Sequence, residues 1–296
     1  MNAFAKLKEK AGSIANIQAA VQKTSNSYSN DLDGISWKLE TDKSGNGHAV
    51  IRFLPASEGE ESPFVRMYSH GFKSKTNEKS WFIENCNTTI GGSCAVCDDV
   101  SDLYGTGIES DKKVAGDRKR KQSFYSNIIV LSDPKNPQNE YANCGKVFVF
   151  RYGKKIFDMI TECINPTYDG ETAYDPFDLW AGANFKFKAK KVENFPNYDS
   201  SSFDNPSELF GGDNAKLEDL YNKQHKLQTI IAPEKFKSEE EVAAKYAKFV
   251  GVTKPVTAST ANDELPFGNS SKPTFSKPNV DDFDDLDIPS LLADID

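Results

Sequence analysis

The sequence has no run of about 18 apolar residues, the minimum for a membrane-spanning helix, and its N-terminus lacks the apolar segment of a secretory signal peptide. These two absences predict a soluble intracellular protein. The sequence also lacks a P-loop, a G-x-G-x-x-G motif after a strand, and a His, Ser and Asp set typical of a hydrolytic triad. These further absences argue against nucleotide hydrolysis and against an enzyme.

An excess of positive charge is also missing, since 36 Lys and Arg face 44 Asp and Glu and the formal net charge is -8. Nucleic-acid binding requires clustered cations, so this total taken alone argues against it. Seven of the acidic residues, however, are Asp residues within 281–296, a segment without Lys or Arg. The remainder of the chain therefore carries a formal net charge of -1 and can hold basic patches.

The two ends of the chain differ in composition from its centre. Residues 1–23 carry apolar residues at helical spacing, which predicts a helical N-terminal arm, and the polar run 24–30 is typical of a hinge. Residues 253–280 are rich in Thr, Ser, Asn, Pro and Lys and predict a flexible linker. The last segment, 281–296, alternates acidic and apolar residues and predicts a partner-binding tail that uses Asp281, Asp282, Phe283, Asp284, Asp285, Leu286, Asp287, Leu291 and Leu292.

Between these ends, residues 24–252 predict a mixed, mainly β core. Several short β-rich segments, with few helices, suggest a barrel or sandwich. Strands are predicted at 36–40, 48–54, 65–68, 79–83, 123–131, 146–152 and 183–192, with a hairpin loop at 44–47. Helices are predicted at 154–163, 217–226 and 238–250, and the last begins with a capping box formed by Ser238 and Glu241.

The cysteines suggest a metal site rather than disulfides. Their number, five, is odd, and three of them fall within a H-x15-C-x7-C-x2-C pattern formed by His70, Cys86, Cys94 and Cys97. A C-x2-C turn brings two thiolates to one ion, and four protein ligands make a closed set that fits one structural zinc ion. His48 competes with His70 for the fourth position, and the alternative to a metal site is a group of buried thiols beside an unrelated histidine. Cys144 and Cys163 are predicted to be buried thiols.

Basic residues alternate with aromatic residues at several places in the core. The densest positive run is Arg118, Lys119, Arg120 and Lys121, followed closely by Phe124 and Tyr125. Similar pairings place Trp81 and Phe82 after Lys79, Phe150 and Tyr152 around Arg151, and Phe195 and Tyr198 after the lysines of 186–191. Cations for phosphates and rings for stacked bases are what single-stranded nucleic acid requires.

Each of these signals has a structural alternative. An aromatic residue in a strand is more often part of the core than a stacking surface, and of two adjacent rings such as Phe124 and Tyr125 only one can face a groove. The basic run has its own alternative, a solvated loop or a localisation-like patch. The argument for nucleic acid therefore depends on the repetition of the pattern.

The sequence resembles the helix-destabilising single-stranded-DNA-binding proteins of T-even bacteriophages, the gene 32 product family. The resemblance is carried by Trp37–Leu39, Gly45–Pro55, His70–Lys73, the cysteine cluster, Arg118–Lys121 and Lys146–Ile156, and covers nearly the whole chain. It implies an OB-fold core with a structural zinc subdomain at about 64–110, whose ligands match His70, Cys86, Cys94 and Cys97. It also implies DNA contacts at Trp81, Phe82, Tyr104, Arg118, Lys119, Arg120, Lys121, Phe124, Tyr125, Phe195 and Tyr198. We add Arg52, Phe150 and Tyr152 to the predicted contacts.

The resemblance further implies a function: cooperative, sequence-nonspecific binding of single-stranded DNA in phage replication, recombination and repair. Self-association would use the arm through Phe4, Lys6, Leu7, Lys8 and Lys10, although the family's contiguous basic motif is interrupted here. The acidic tail would recruit partner proteins and compete with DNA for the basic cleft. Melting of duplex would be passive, because a protein that binds only single strands shifts the helix–coil equilibrium by mass action.

Two other classes of function compete with this reading. One is a zinc-ribbon adaptor in which the zinc module and the tail bind proteins. The other is a metal-dependent nuclease, which needs an open coordination position that a closed Cys3His set does not provide. Quenching of Trp and Tyr fluorescence by poly-thymidine separates the DNA-binding hypothesis from the adaptor.

Overall fold

The computed structural model describes residues 4, 32, 34–74, 80–134, 142–193 and 195–251. Their architecture is mixed and mainly β, as the sequence predicted. The strands are β1 (Ser36–Trp37), β2 (Gly47–Phe53), β3 (Phe64–Lys73), β4 (Trp81–Asn85), β5 (Lys121–Ser132), β6 (Val147–Tyr152), β7 (Phe185–Val192), β8 (Phe195–Asn197) and β9 (Ser202–Phe203).

Among the described residues, the sheet is accompanied by the α-helices α1 (Ala95–Gly105), α2 (Glu109–Arg118), α3 (Lys154–Ile164), α4 (Asn214–Asn222) and α5 (Glu239–Val250). Short 3-10 segments lie at Asn87–Ile90, Leu209–Gly212, Leu227–Ile231 and Pro233–Lys235. Within the described ranges, no helix is long and apolar enough to cross a membrane.

The long strand β5 organises the sheet. Its first half pairs antiparallel with β3, from Lys121 opposite Ser69 to Ser126 opposite Phe64, and its second half pairs with β2. Its other edge pairs with β6, while β2 continues the sheet into β7 and β8. Strand β5 pairs with both β2 and β3 and so joins the main sheet to the β3–β4 hairpin, which carries His70 and is followed directly by Cys86.

The main core lies on one face of this sheet. In β7, Phe185, Phe187 and Ala189 are buried while Lys186, Lys188 and Lys190 are exposed, the two-residue alternation expected of a half-buried strand. The apolar stripe of α3, formed by Ile156, Ile160 and Ile164, packs against the same cluster of rings, which includes Phe53, Phe124 and Phe150. Burial of these large side chains is the main favourable term in folding.

Most predicted elements are present, with shifted ends. The structure has α3 and α5 close to their predicted ranges, and α5 starts with the predicted capping box, in which the Glu241 amide donates to Ser238 Oγ at 3.2 Å. The sequence reading missed α1 and α2. In α2 the only buried residue is Ala115, so the segment has almost no apolar stripe to reveal it.

The predictions for both ends of the chain lie almost entirely outside the described residues. These are the arm at 1–23, of which only Phe4 is described, the hinge at 24–30, the linker at 253–280 and the tail at 281–296. Lys6, Leu7, Lys8 and Lys10 belong to this group, as do the tail residues Asp281, Asp282, Phe283, Asp284, Asp285, Leu286, Asp287, Leu291 and Leu292.

Arg52 is a structural residue, which corrects its assignment to DNA contact. Its side chain is fully buried, and its Nη2 donates to the carbonyl oxygens of Asp178 at 2.8 Å and Ser207 at 2.9 Å. Nη1 donates to Asn184 Oδ1 at 3.3 Å. Burial lowers the pKa of Arg52 to about 10, and the nearby carboxylate of Asp178 opposes that shift. The guanidinium therefore ties β2 to two distant loops.

Asp175, close to Arg52, is expected to make stability depend on pH. Burial raises its pKa to about 7, and Asp178 adds to the rise, while the Phe177 amide, which donates to Asp175 Oδ1 at 2.8 Å, and Arg52 oppose it. The folded chain then holds a proton that the unfolded chain releases near pH 4. The contribution of Asp175 to the free energy of unfolding is therefore fully present below pH 4 and is lost as pH rises towards 7, by up to about 1.4 kcal/mol per pH unit.

The Asp175→Asn variant has no carboxyl group to titrate at this position. Its free energy of unfolding should therefore fall less between pH 5 and pH 7.5 than that of the unmodified chain. The measurement is the free energy of urea unfolding at pH 5 and pH 7.5 for both chains, with zinc in excess in every sample. Parallel pH profiles for the two chains would show that Asp175 is ionised throughout this range.

Candidate metal centre and nucleic-acid interface

Four side chains with metal-binding atoms converge beside the β3–β4 hairpin. The ligand atoms of His70, Cys86, Cys94 and Cys97 all lie within 4.8 Å of one another. His70 Nε2 is 3.5 Å from the sulfurs of both Cys94 and Cys97, and the sulfurs of Cys86 and Cys97 are 3.4 Å apart. A tetrahedral zinc site has ligand-to-ligand edges of about 3.5–3.8 Å, so this cluster could hold a metal ion.

Local structure explains why these ligands meet. His70 lies in β3, and Cys86 directly follows β4, with its amide donating to the Tyr68 carbonyl at 3.0 Å. Cys94 precedes α1 and Cys97 lies in the first turn of that helix. The chain reverses between these two parts at Gly91, whose φ of 80° is the left-handed conformation that glycine adopts without strain.

The hydrogen bonding of His70 fits a metal ligand. Its Nδ1 lies 2.9 Å from the Arg118 carbonyl oxygen, which can only accept, so Nδ1 carries the proton and Nε2 faces the sulfurs. A backbone carbonyl that orients the imidazole is the usual second partner of a metal-binding histidine. Burial by itself would lower the pKa of His70, but hydrogen bonds with Cys86 and Cys94 raise it to about 9.

Helix α5 packs over this cluster, although it lies far from the four residues in the sequence. Val242 and Tyr246 pack with Phe72, Phe82 and the cysteines in a separate apolar cluster. Arg118 donates to Asp99 at 2.8 Å and to the Tyr246 hydroxyl at 2.9 Å. Lys237, just before α5, and Lys245, within it, both pair with the buried Glu84. These contacts attach α5 to the metal-ligand hairpin and to the start of the basic run.

A cationic cluster lies where the basic run enters β5. Burial lowers the pKa of Lys121, and the nearby positive charges of Arg151 and Lys119 lower it further. Arg151 reaches this cluster from β6, with Nε and Nη2 donating to Ser123 Oγ at 3.2 and 3.0 Å. An anion placed among these three cations would relieve their mutual repulsion, so the cluster is suited to bind phosphate.

Rings and cations alternate on the neighbouring part of β3 and β4. Arg66 and Arg120 lie over the ring of Tyr68, at 5.0 and 4.1 Å from its centroid. Lys73 lies 5.0 Å from the centroid of Trp81, which is half-buried. Arg120 also donates to Thr88 Oγ1 at 3.0 Å, which connects this surface to the loop after Cys86.

Several predicted DNA contacts belong to the core instead. Phe124 and Phe157 stack with their ring centroids 3.8 Å apart, and Phe82 stacks on Phe72. Burial leaves no ring face for a base, and this corrects their assignment to DNA contact. The buried members of the predicted set are Arg52, Phe82, Phe124, Tyr125, Phe150 and Tyr152.

The other predicted contacts retain accessible surface. Trp81, Tyr104 and the run Arg118–Lys121 are half-buried on or beside the metal-ligand hairpin and its helices. Phe195 and Tyr198 lie at the β7–β8 end of the sheet. Phe195 is 57% exposed, and the ring centroid of Tyr198 is 5.1 Å from that of Phe187. Asp199, next to Tyr198, pairs at 2.5 Å with Lys155 in the first turn of α3, the helix that follows β6.

Arg66 and Arg151 were not predicted as site residues. Arg66 shares the ring of Tyr68 with Arg120, and Arg151 lies near Lys121. Arg66 is an isolated cation in β3 and carries no sequence motif. Arg151 lies between Phe150 and Tyr152, and the sequence reading selected those rings rather than the cation. In a strand, neighbouring side chains point to opposite faces. Phe150 and Tyr152 are buried in β6, and Arg151 between them is half-buried on the other face. The alternation of apolar and charged residues in this strand was therefore the signal that could have identified Arg151.

The described residues define a mainly β protein with a closed His/Cys cluster beside a face where cations and aromatic rings alternate. A sequence model of the gp32 DNA binding protein-like family matches residues 45–250. The single-stranded DNA-binding proteins of Enterobacteria phages T2 and T4 are each 39% identical over 284 residues, which is 88% of this chain and 90% of theirs. The corresponding protein of Enterobacteria phage RB70 is 50% identical over 93 residues, 30% of this chain and 74% of its own. The chain therefore belongs to the gp32-like family.

Proposed function

We propose that this chain binds single-stranded DNA without sequence preference. The observation that carries the proposal is the convergence of Lys121 in β5 and Arg151 in β6 on one half-buried face, where Arg151 donates to Ser123 Oγ and, with Lys119, adds to the effect of burial in lowering the pKa of Lys121. Beside it, the alternating rings and cations around Tyr68 and Trp81 offer a route along which phosphates pair with arginine and lysine. Membership of the gp32-like family supports the same reading.

The metal in this proposal is one structural zinc ion. Three cysteines and one histidine form a donor set that zinc prefers, and four protein ligands leave no position for an activated water. The ion would be held by His70, Cys86, Cys94 and Cys97 and would stabilise the hairpin and helices from which the basic run emerges. It supplies structure rather than chemistry, so no hydrolytic step is proposed.

The core is proposed to be an OB-fold-like barrel that includes the zinc subdomain, and this reading is supported by the position of β5 between β2, β3 and β6. Residues 1–23 would serve as the arm for self-association along DNA, and 253–280 as a linker. The tail at 281–296, with its seven Asp residues, would compete with DNA for the cations and bind replication, recombination and repair proteins.

The proposed mechanism is passive. A protein that binds single strands and not duplex lowers the free energy of the melted state by mass action, and contacts between neighbours extend that effect along the strand. No nucleotide hydrolysis is required, and the protein is proposed not to be an enzyme. Its site of action would be the cytoplasm of the infected bacterium.

A fluorescence titration tests the proposal. The chain is titrated with poly-thymidine and with duplex DNA at two salt concentrations, and bound zinc is measured on the same sample. We expect tight binding of poly-thymidine, weak binding of duplex, and an affinity that falls steeply with salt. Equal affinity for both forms, or no binding of either, would contradict the proposal, and the second result would favour a protein-binding adaptor.

A further inference from the structure

The side chain of Arg118, the first cation of the basic run, is engaged by groups of the protein itself. Its Nη1 donates to Asp99 Oδ2 at 2.8 Å and to the Tyr246 hydroxyl at 2.9 Å. The Tyr246 hydroxyl in turn donates to Asp99, so the three groups form a closed network, which we name the Arg118–Asp99–Tyr246 network. The guanidinium also lies over the rings of Phe72 and Tyr246, and 18% of the side chain is exposed.

This network joins three helices that are separate in sequence. Arg118 is the last residue of α2, Asp99 lies in α1, and Tyr246 lies in α5 with 6% of its surface exposed. A second contact attaches α5 to the start of α1, because the Ser93 amide donates to Glu239 Oε1 at 2.6 Å. Helix α5 is therefore attached at two points along its length and gives the Arg118 side chain a fixed support.

The main chain of Arg118 leads directly into the cations of the proposed phosphate site. Its carbonyl oxygen accepts from His70 Nδ1 at 2.9 Å, and the Lys119 amide donates to the Ala115 carbonyl at 2.8 Å. Strand β5 then begins at Lys121, three residues after Arg118. The direction in which the chain passes from α2 into β5 is therefore set where Arg118 is held.

A phosphate contact by the Arg118 guanidinium would require these bonds to break. The carboxylate of Asp99 and the buried hydroxyl of Tyr246 would lose their shared donor, and leaving such groups unpaired is unfavourable. A phosphate that approached the intact network would also be repelled by Asp99, whose negative charge offsets that of Arg118. The network therefore suits the anchoring of Arg118 better than the capture of an anion.

We propose that Arg118 is a positioning residue, whose side chain anchors the start of the basic run to α1 and α5 while Lys119 and Lys121 meet the phosphates. Tyr246, which is buried and lies about 130 residues further along the chain, then contributes to DNA affinity through Arg118. This inference rests on the proposed function, because it concerns how the cations of that function are placed.

The salt dependence of binding distinguishes a positioning residue from a phosphate contact. Poly-thymidine affinity is measured at four or more salt concentrations for Arg118→Gln, Lys119→Gln and the unmodified chain. For Arg118→Gln we expect affinity to fall on the order of tenfold, as for residues coupled to a site through packed contacts, with the slope of log affinity against log salt essentially unchanged. Lys119→Gln should lower that slope by about 0.7, the contribution of one contact on a single strand. An equal change of slope in Arg118→Gln would overturn the proposal.

Tyr246→Phe gives a second, independent measurement. It removes the hydroxyl and keeps the buried ring, so the packing of α5 is retained. We expect a loss of poly-thymidine affinity with an unchanged salt slope, and a double variant with Arg118→Gln that binds no more weakly than Arg118→Gln alone, since both changes break one network. The matched control is Tyr221→Phe, which removes the hydroxyl of a tyrosine in α4 that is 7% exposed and should leave affinity unchanged.

Thermal unfolding followed by circular dichroism separates positioning from a purely structural role, and all affinities are measured well below the midpoint of each chain. A lowered midpoint with full DNA affinity in Arg118→Gln and Tyr246→Phe would show that the network only stabilises the fold, and would overturn the proposal. Additive losses of affinity in the double variant would also overturn it. Failure of the unmodified chain to bind poly-thymidine would instead contradict the proposed function itself.

Discussion

Replacement of Cys94 with serine is expected to abolish stoichiometric zinc binding and to lower both thermal stability and affinity for poly-thymidine. Cys94 is buried, and its sulfur lies 3.5 Å from His70 Nε2, so its loss removes one of the four candidate ligands and opens the closed set. Structural zinc contributes about 10–16 kcal/mol of binding free energy in zinc-finger peptides, and loss of even part of this is large for a folded domain. DNA affinity falls because Arg118, whose carbonyl accepts from His70, begins the basic run.

The matched control is Cys144→Ser, a thiol that packs against the main core outside the ligand cluster. Zinc content, the thermal midpoint and poly-thymidine affinity are measured on all three chains. We expect one zinc ion per chain in the control and in the unmodified protein, and treatment of either with a strong chelator should reproduce the Cys94→Ser behaviour. A Cys94→Ser chain with full zinc content and unchanged stability would contradict the structural zinc.

The double substitution Lys121→Gln and Arg151→Gln is expected to produce the largest loss of DNA affinity without loss of fold. Both cations are half-buried and close enough for the charge of Arg151 to lower the pKa of Lys121. Loss of two phosphate contacts should reduce the dependence of log affinity on log salt by about 1.4, since each contact on a single strand contributes about 0.7. We expect affinity at low salt to fall on the order of a hundredfold.

The double substitution Lys216→Gln and Lys223→Gln serves as the control, because it removes the same charge from exposed side chains that pair with Asp213 and Asp219. It should change the salt dependence much less. The measurement is the poly-thymidine affinity at four or more salt concentrations for the three chains, with circular dichroism to verify the fold. Equal slopes for the two variants would show that net charge, rather than the Lys119–Lys121–Arg151 cluster, governs binding.

The cluster of candidate metal ligands could be predicted from sequence because the spacing of its cysteines is itself a geometric constraint. A C-x2-C turn has few conformations, and its meaning does not depend on distant parts of the chain. The choice of His70 was less secure than that of the cysteines, because His48 competed for the fourth position. In the structure His48 lies in β2 opposite Lys188, whereas the β3–β4 hairpin carries His70 to the cysteines.

The aromatic residues could not be assigned in this way. Phe124 and Tyr125 adjoin the basic run, yet both are buried, Phe124 against Phe157 and Tyr125 in the cluster with Leu227, Ile230 and Ile231. Sequence alternation predicts that these two rings face opposite sides of β5, but it does not reveal that both sides are covered. The second cover comes from the segment 227–231, about 100 residues further along the chain.

The sequence by itself determined the mainly β class, the helices α3 and α5, the cysteine ligand set and the family, because each depends on local spacing or on a long stretch of residues. Tertiary structure alone decided which cations meet, since Lys121 and Arg151 come together only when β5 pairs with β6. It also decided that Arg52 holds loops together and that α5 covers the metal-ligand hairpin. Burial and contact between distant segments depend on how elements pack, and packing is not encoded at any single position.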